Sequence, residues 1–200
     1  MPVRLLLATH NEHKRREFAR IMARAAPGLV ELEMLADDVR LPPEDGETFA
    51  ENALGKARAA ALESGRVSIA DDSGIAAAAL GGAPGVRSAR YAGEGAGDEE
   101  NLALLMREAP AGSGLEYVCV IAYVDPADGL ERLFEGRCAG RLAAEPRGRG
   151  GFGYDPAFLP DEGPAGLTMA ELDEQQKDAI SHRGGAARQL LDWLASQPAA

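Results

Sequence analysis

Aromatic side chains are scarce in this sequence, with Phe, Tyr and Trp making up only 5% of its 200 residues. The interior must therefore be built mainly from aliphatic side chains. Cysteine is scarcer still. Cys119 and Cys138 stand without CxxC spacing and without a Cys/His cluster, which argues against a zinc site or a disulfide framework and predicts two reduced core thiols. Apolar runs are short, none approaching the roughly 20 residues needed to cross a bilayer as a helix. The opening MPVRLLLATH carries one brief apolar run and no small-residue cleavage site, so no secretory signal and a cytoplasmic location are expected. Positive charge is also in deficit. The 21 Lys and Arg face 32 Asp and Glu, for a net charge of -11. Such a surface repels a phosphate backbone, so nucleic acid is not expected as a partner, and without a spanning apolar run neither is a membrane.

What is present suits one globular domain, or two lobes sharing a sheet, with 46% hydrophobic and 26% charged residues. Residues 3–8 read as a buried strand that ends at Thr9, His10 and Asn11. A helix is predicted over 14–24, with Phe18, Ile21 and Met22 on one face, stopped by Pro27 and Gly28. A second strand follows at 30–35. The LPPEDGE stretch at 41–47 is a loop, and an Ala-rich helix runs over 48–64 with Thr48 and Glu51 as a capping box. A brief strand over 67–70 leads into DDSG. Residues 81–97 read as irregular and 98–107 as helix. Two extended segments, 115–124 and 130–139, are joined by a turn and predict an antiparallel hairpin. A glycine-rich loop spans 148–156, helices are predicted over 169–177 and 184–194, and 196–200 (SQPAA) is expected to fray.

Four constellations carry chemistry. Thr9, Asn11 and Lys14 sit where a strand gives way to a helix, where free N–H groups and a nearby ammonium attract an anion. The GxxxxGK[ST] pattern is missing, so this is not a P-loop. Asp71, Asp72, Ser73 and Gly74 follow an apolar strand. Adjacent aspartates on an extended chain point apart, so one is free to hold Mg²⁺ or take a proton from water while the other fixes local structure. The bland reading is an Asx turn. Glu44 and Glu51 are possible further carboxylates. In GRGGFGYDP (148–156), Phe152 and Tyr154 offer rings for stacking on a base, and Asp155 is a candidate for reading its edge. Lys177, with Ser181, His182 and Arg183, offers cations and an imidazole for phosphate or carbonyl oxygens. The alternative is a helix end decorated with cations.

The segments ATHNEHKRREF (8–18), ETFAENALGKARAAA (47–61), IADDSGI (69–75), GGAPGVRSARYAG (81–93), GGFGYDPAF (150–158) and ISHRGGA (180–186) together resemble the inosine triphosphate pyrophosphatase family, the Ham1-like nucleotide house-cleaning enzymes. The match covers nearly the whole chain in the family's order. It implies an α/β fold of the Maf/Ham1 type, a curved mixed sheet flanked by helices, in two lobes with a central cleft for the nucleotide. It also implies a homodimer that requires Mg²⁺ and hydrolyses dITP, ITP and XTP to monophosphate and pyrophosphate. On this resemblance Thr9, His10, Asn11, Glu12, His13 and Lys14 hold phosphates. Asp72 is proton acceptor and metal ligand, with Glu44 a second metal carboxylate and Ser73 touching substrate. Phe152, Gly153, Tyr154, Asp155, Lys177, His182 and Arg183 surround base and phosphates. Three departures from the family pattern stand out: His13 where Gly is common, IAAAAL (75–80) where a further acid is usual, and Arg87 where an aromatic is frequent. Two other readings are a Maf-type pyrimidine pyrophosphatase and a nucleotide sensor without turnover.

Overall fold

The computed structural model describes residues 1–197. Its strands are β1 (Val3–Leu7), β2 (Val30–Met34), β3 (Ser68–Ala77), β4 (Gly114–Asp125), β5 (Leu130–Leu142) and β6 (Phe158–Pro160). Its α-helices are α1 (Glu12–Ala25), α2 (Phe49–Ser64), α3 (Asp98–Glu108), α4 (Glu174–Ile180) and α5 (His182–Ser196). The strands form one open mixed sheet in the order β2-β1-β3-β4-β5-β6, the α/β arrangement expected. The chain groups into two compact units, one of residues 1–72, 119–136 and 183 onward, the other of 73–118 and 137–182. No helix among the described residues is long and apolar enough to cross a membrane.

In the first unit β1 pairs in parallel with β2 (Val3 beside Val30) and with β3 (Leu7 beside Ile69). The chain leaves β1 toward one neighbour and later returns on its other side. The β1/β3 boundary is therefore a topological switch point, where ligands gather at the carboxyl ends of parallel strands. Alternation along the strands makes two cores. Leu5, Leu7, Ile69, Cys119 and Ile121 pack with Phe18, Ile21 and Met22 of α1 and with Leu190 and Leu194 of α5. Leu6, Ala8, Ala70, Val120 and Ala122 pack with Ala53, Ala57, Ala60 and Ala61 of α2. Small residues on α2 let the helix lie close to the sheet. The Thr48–Glu51 capping box starts α2, and Gly65 ends it in the left-handed conformation at φ 65°.

The second unit buries Leu102 and Leu105 of α3 against Ile75, Leu115, Tyr117, Leu142, Tyr154, Phe158 and Met169. Over its second half β5 alternates buried and exposed residues, so one face there meets solvent. The adjacent β4 and β5 are joined by residues 126–129, too short for a parallel crossover, so they form the expected hairpin.

Several boundaries differ from expectation. β3 does not stop at Ala70 but continues through DDSG to Ala77, so the Asx-turn alternative is wrong. The helix expected over 169–177 is a short 3₁₀ turn, Met169–Glu171, followed by α4. Thr168 and Asp173 each begin a capping box, and two starts within six residues break the helix. α1 and α5 each start two residues earlier than expected, residues 85–90 of the irregular stretch form a 3₁₀ helix, and β6 was not anticipated. In the tail, Ser196 closes α5 and the Gln197 N–H bonds to the Leu194 carbonyl, so these two are not frayed. Residues 198–200 of the expected frayed tail lie outside the described residues.

Candidate active site

Period-two alternation sends the two adjacent aspartates to opposite faces of β3. Asp71 follows Ile69 onto the α1/α5 face. Its Oδ2 lies 3.1 Å from Lys14 Nζ and accepts from Arg183 Nη2 at 3.1 Å. The buried Cys119 thiol is 3.8 Å away. Arg183 is 1% exposed, and its Nη1 donates to Glu17 Oε2 at 2.5 Å. Burial acts to raise the Asp71 pKa, but Lys14, Arg183 and Lys56 together outweigh it and hold the carboxyl well below the usual carboxylate range. Burial also opposes the charge on Arg183, yet Asp71 and Glu17 more than offset it and raise its pKa. The Cys119 thiol is pushed up by burial and by Asp71. It is a core thiol, as expected, and so is Cys138.

Asp72 follows Ala70 onto the α2 face. Asn52 Nδ2 donates to its Oδ2 at 2.9 Å, and the same amide's Oδ1 accepts the Gly46 N–H at 2.8 Å. One turn on, Lys56 Nζ donates to the Asp71 carbonyl at 2.7 Å and to the Glu44 carboxylate. Two residues at i and i+4 on α2 thus tie the aspartates to the 44–46 loop, which brings Glu44 into the cluster. Burial raises the Asp72 pKa. Lys56 and Lys14 oppose that, Glu44 adds to it, and the net shift is upward. Lys56 is disfavoured by burial, but Asp71, Glu44 and Asp72 leave its pKa raised.

At the start of α1, Asn11 caps the helix, its Oδ1 accepting the Lys14 N–H at 3.1 Å, and Thr9 Oγ1 accepts the Asn11 N–H at 3.2 Å. Glu12 and His13 open the helix at the surface, and His10 donates from Nε2 to the Val39 carbonyl. The alternative of a solvated Lys14 is wrong, because it is 12% exposed and paired with Asp71. Glu51 serves the capping box by accepting from the Glu47 and Thr48 N–H groups, and stands at the surface rather than in the carboxylate cluster.

The second unit holds its own cluster. Asp155 is 3% exposed and accepts from Lys177 Nζ at 2.6 Å, the Phe152 N–H at 2.9 Å and Tyr117 OH at 3.1 Å. Both its oxygens take part in ordering the loop. Tyr154 does not offer a free ring for stacking. It lies in the core with its OH donating to the Ser88 carbonyl at 2.8 Å. Phe152 remains partly exposed, with Lys177 Nζ 5.3 Å from its ring centre. Asp98, at the start of α3, accepts the Gly153 N–H at 2.8 Å. Gly151 has φ 68°, and a side chain there would overlap the Asp155 carboxylate. His182 is buried with its ring stacked on Tyr117 at 4.5 Å. Ser73, half-buried, follows Asp72 directly.

Asn52, Lys56, Glu17 and Tyr117 were missed as site residues. A signal existed for three of them, since Asn52 and Lys56 share the stripe of Ala53, Ala57 and Ala60 on α2, and Glu17 lies beside Phe18 on the buried stripe of α1. A polar residue on an apolar stripe is the informative exception. Tyr117 gave no such signal, because a tyrosine in a buried strand is ordinary.

Among the described residues no group of three or more His, Cys, Asp or Glu is arranged to hold a metal. Mg²⁺ asks for less, since one or two carboxylates suffice when waters and phosphate complete its shell. The first unit's cluster sets three cations, Lys14, Lys56 and Arg183, against four carboxylates, Glu17, Glu44, Asp71 and Asp72. It has no positive surplus for a triphosphate, and Glu44 repels charge on Asp72. A divalent cation on Asp72 and Glu44 relieves both, so the residues fit the ion.

A helix start at the carboxyl end of β1, and an aspartate pair just past the part of β3 that pairs in parallel with it, define an α/β protein of the ligand-binding, switch-point class. The chain belongs to the Ham1 family, whose model matches residues 5–193. It is 50% identical over 202 residues to a dITP/XTP pyrophosphatase of Frankia alni, covering 96% of this chain and 97% of that one. It is 45% identical over 194 residues to a dITP/XTP pyrophosphatase of Cutibacterium acnes, covering 94% of each. Its fold matches a HAM1 protein from Coxiella burnetii with a TM-score of 0.82 at 37% identity, over 98% of this chain and all of that one.

Proposed function

We propose that this protein hydrolyses the non-standard purine triphosphates dITP, ITP and XTP to the monophosphate and pyrophosphate, removing them from the nucleotide pool. The observation that carries this is the buried Asp72, held by Asn52 and flanked by Glu44, on the strand next to the Thr9–Lys14 helix start. The relatives' names support the substrate class.

Water attacks the α-phosphorus, Asp72 accepts its proton, and pyrophosphate leaves. A carboxylate whose pKa is raised by burial is a better proton acceptor than a solvated one. Asn52 keeps one oxygen of Asp72 oriented. Asp72 and Glu44 would hold Mg²⁺, which when bound supplies the positive charge the cluster lacks. Thr9 to Lys14 bind phosphates through the N–H groups that open α1 and through the Lys14 ammonium. Ser73 touches the substrate. Arg183, braced by Glu17, holds Asp71, the carboxylate that fixes Lys14.

Phe152 stacks on the base, beside the loop backbone at Gly153. Lys177, one of whose three donors goes to Asp155, and His182 present donors to the 6-oxo group of hypoxanthine or xanthine. Adenine offers an amino donor there, which would leave these buried donors unmatched. With a net charge of -11 the protein takes free nucleotides rather than nucleic acid. It acts as a homodimer, a reading that rests on the family resemblance, and in the cytoplasm, which its two reduced core thiols suit.

The test is pyrophosphate release from ITP, XTP, dITP, ATP, GTP and dTTP, with Mg²⁺ and with a chelator. Fast release from the first three, lost with chelator, is expected. No release from any of them would sink the proposal.

A further inference from the structure

Arg15 follows Lys14 on α1, and its side chain is 12% exposed. Its Nε donates to the Thr9 carbonyl at 2.9 Å. Nη1 donates to Glu12 Oε1 at 2.9 Å and to Asp37 Oδ1 at 3.0 Å. Nη2 donates to the Leu35 carbonyl and to Asp37 Oδ1, each at 3.0 Å. His10 adds to the same knot. Its Nε2 donates to the Val39 carbonyl at 2.8 Å, which leaves Nδ1 as an acceptor 3.4 Å from Arg15 Nη2.

These partners come from two segments. One is the turn from β1 into α1, which offers the N–H groups and Lys14. The other is residues 35–39, which lead into the loop carrying Glu44. A trans peptide points its C=O and its N–H in opposite directions. Holding the Thr9 carbonyl against the guanidinium therefore fixes the direction of the His10 N–H. The planar fork of an arginine meets several carbonyls at set angles, which a lysine ammonium does not.

We propose that Arg15 is a positioning residue for polyphosphate binding: its clamp on Thr9, Glu12, Leu35 and Asp37 pre-forms the Thr9–Lys14 turn before the ligand arrives. The proposal rests on the triphosphate reading above and deepens it. Pre-forming a loop adds affinity by removing the cost of ordering it on binding.

The test uses the full chain with Arg15→Gln and Arg15→Lys. Thermal unfolding is measured first, then binding of tripolyphosphate with Mg²⁺ by calorimetry, then ITP kinetics. The clamp predicts that the tripolyphosphate Kd and the KM for ITP rise together by about tenfold in both variants, with kcat within about twofold, the pattern of lost ground-state binding. Unchanged Kd and KM would overturn it, and so would a fall in kcat at constant KM. If Arg15→Gln fails to fold, Arg15→Lys decides. If the wild type binds tripolyphosphate but hydrolyses no nucleotide, the activity reading fails while the Kd comparison still judges Arg15. If the wild type does not bind tripolyphosphate, the Arg15 proposal falls as well.

Discussion

Asn52 Nδ2 on α2 donates a 2.9 Å hydrogen bond to Asp72 Oδ2 on β3. The same side chain accepts from Gly46, so one amide orients the candidate base and anchors the loop that carries Glu44. Asn52→Ala removes both bonds. Activity should fall by about ten- to a hundredfold, the range seen when an orienting partner of an active carboxylate is lost. Asp72→Asn should lose about 10²–10⁴-fold in kcat if it removes the proton acceptor. Circular dichroism and kcat on both variants check this, and near-normal kcat in Asp72→Asn would refute the base assignment.

Removing Arg183 deprives two buried carboxylates, Glu17 and Asp71, of a shared cation. Breaking a buried ionic cluster on one side costs about 3–5 kcal/mol. Arg183→Met should lose that much in urea unfolding at neutral pH, and adding Glu17→Gln should recover part of it. A loss below 1 kcal/mol would mean the cluster relaxes around the gap.

Asp155 holds Lys177, the Phe152 N–H and Tyr117 OH at once. Asp155→Asn weakens all three and lets the Phe152 loop and the Lys177 donors drift. The expected result is a drop in kcat/KM for ITP of about tenfold or more with a smaller change for ATP, because selectivity depends on buried donors being in place. The ITP/ATP ratio of kcat/KM is the readout, and an unchanged ratio would remove Lys177 from base recognition.

Arg58 and Glu131 form a two-bond surface pair at 2.6 and 2.7 Å in the first unit. The hydrogen bond from Arg58 lowers the Glu131 pKa from its ordinary 4.5 and raises that of Arg58. A depressed carboxyl contributes stability above its unfolded pKa and loses it as pH falls through the folded value. Both groups are solvent-exposed, so screening keeps the contribution under about 1 kcal/mol. Arg58→Ala should therefore destabilise slightly at pH 7, with the difference from wild type vanishing in acid below Glu131's folded pKa and shrinking in high salt. Urea midpoints across pH and salt decide it.

Much of this could be read from residue patterns. The α2 boundaries follow from Thr48, Glu51 and Gly65, whose capping is local chemistry. The opposite directions of Asp71 and Asp72 follow from the pleat alone. Other features are written in the sequence too. The runs TMAE (168–171) and DEQQ (173–176) are two capping signals in succession, and they explain the broken helix. The continuation of β3 beyond Ala70 was hidden because DDSG has the composition of a turn. Burial against both neighbouring faces overrides that preference, and Lys14, Arg183, Lys56 and Asn52 satisfy the acidic side chains that would otherwise disfavour a buried strand.

The sequence by itself determined the α/β class, the change from strand to helix between Thr9 and Lys14, the opposed aspartates and the family. Each depends on local periodicity, on capping, or on motifs contiguous in the chain. Only the tertiary structure decided who partners whom. It tied Asp155 to Lys177, Tyr117 and the Phe152 N–H, and it placed Arg183 beside Glu17, 166 positions away. It also brought Glu44 to Asp72 through Asn52 and Lys56. Ionic partners so distant in sequence are chosen by which buried charges the packing leaves within reach of each other, and a one-dimensional pattern does not carry that distance.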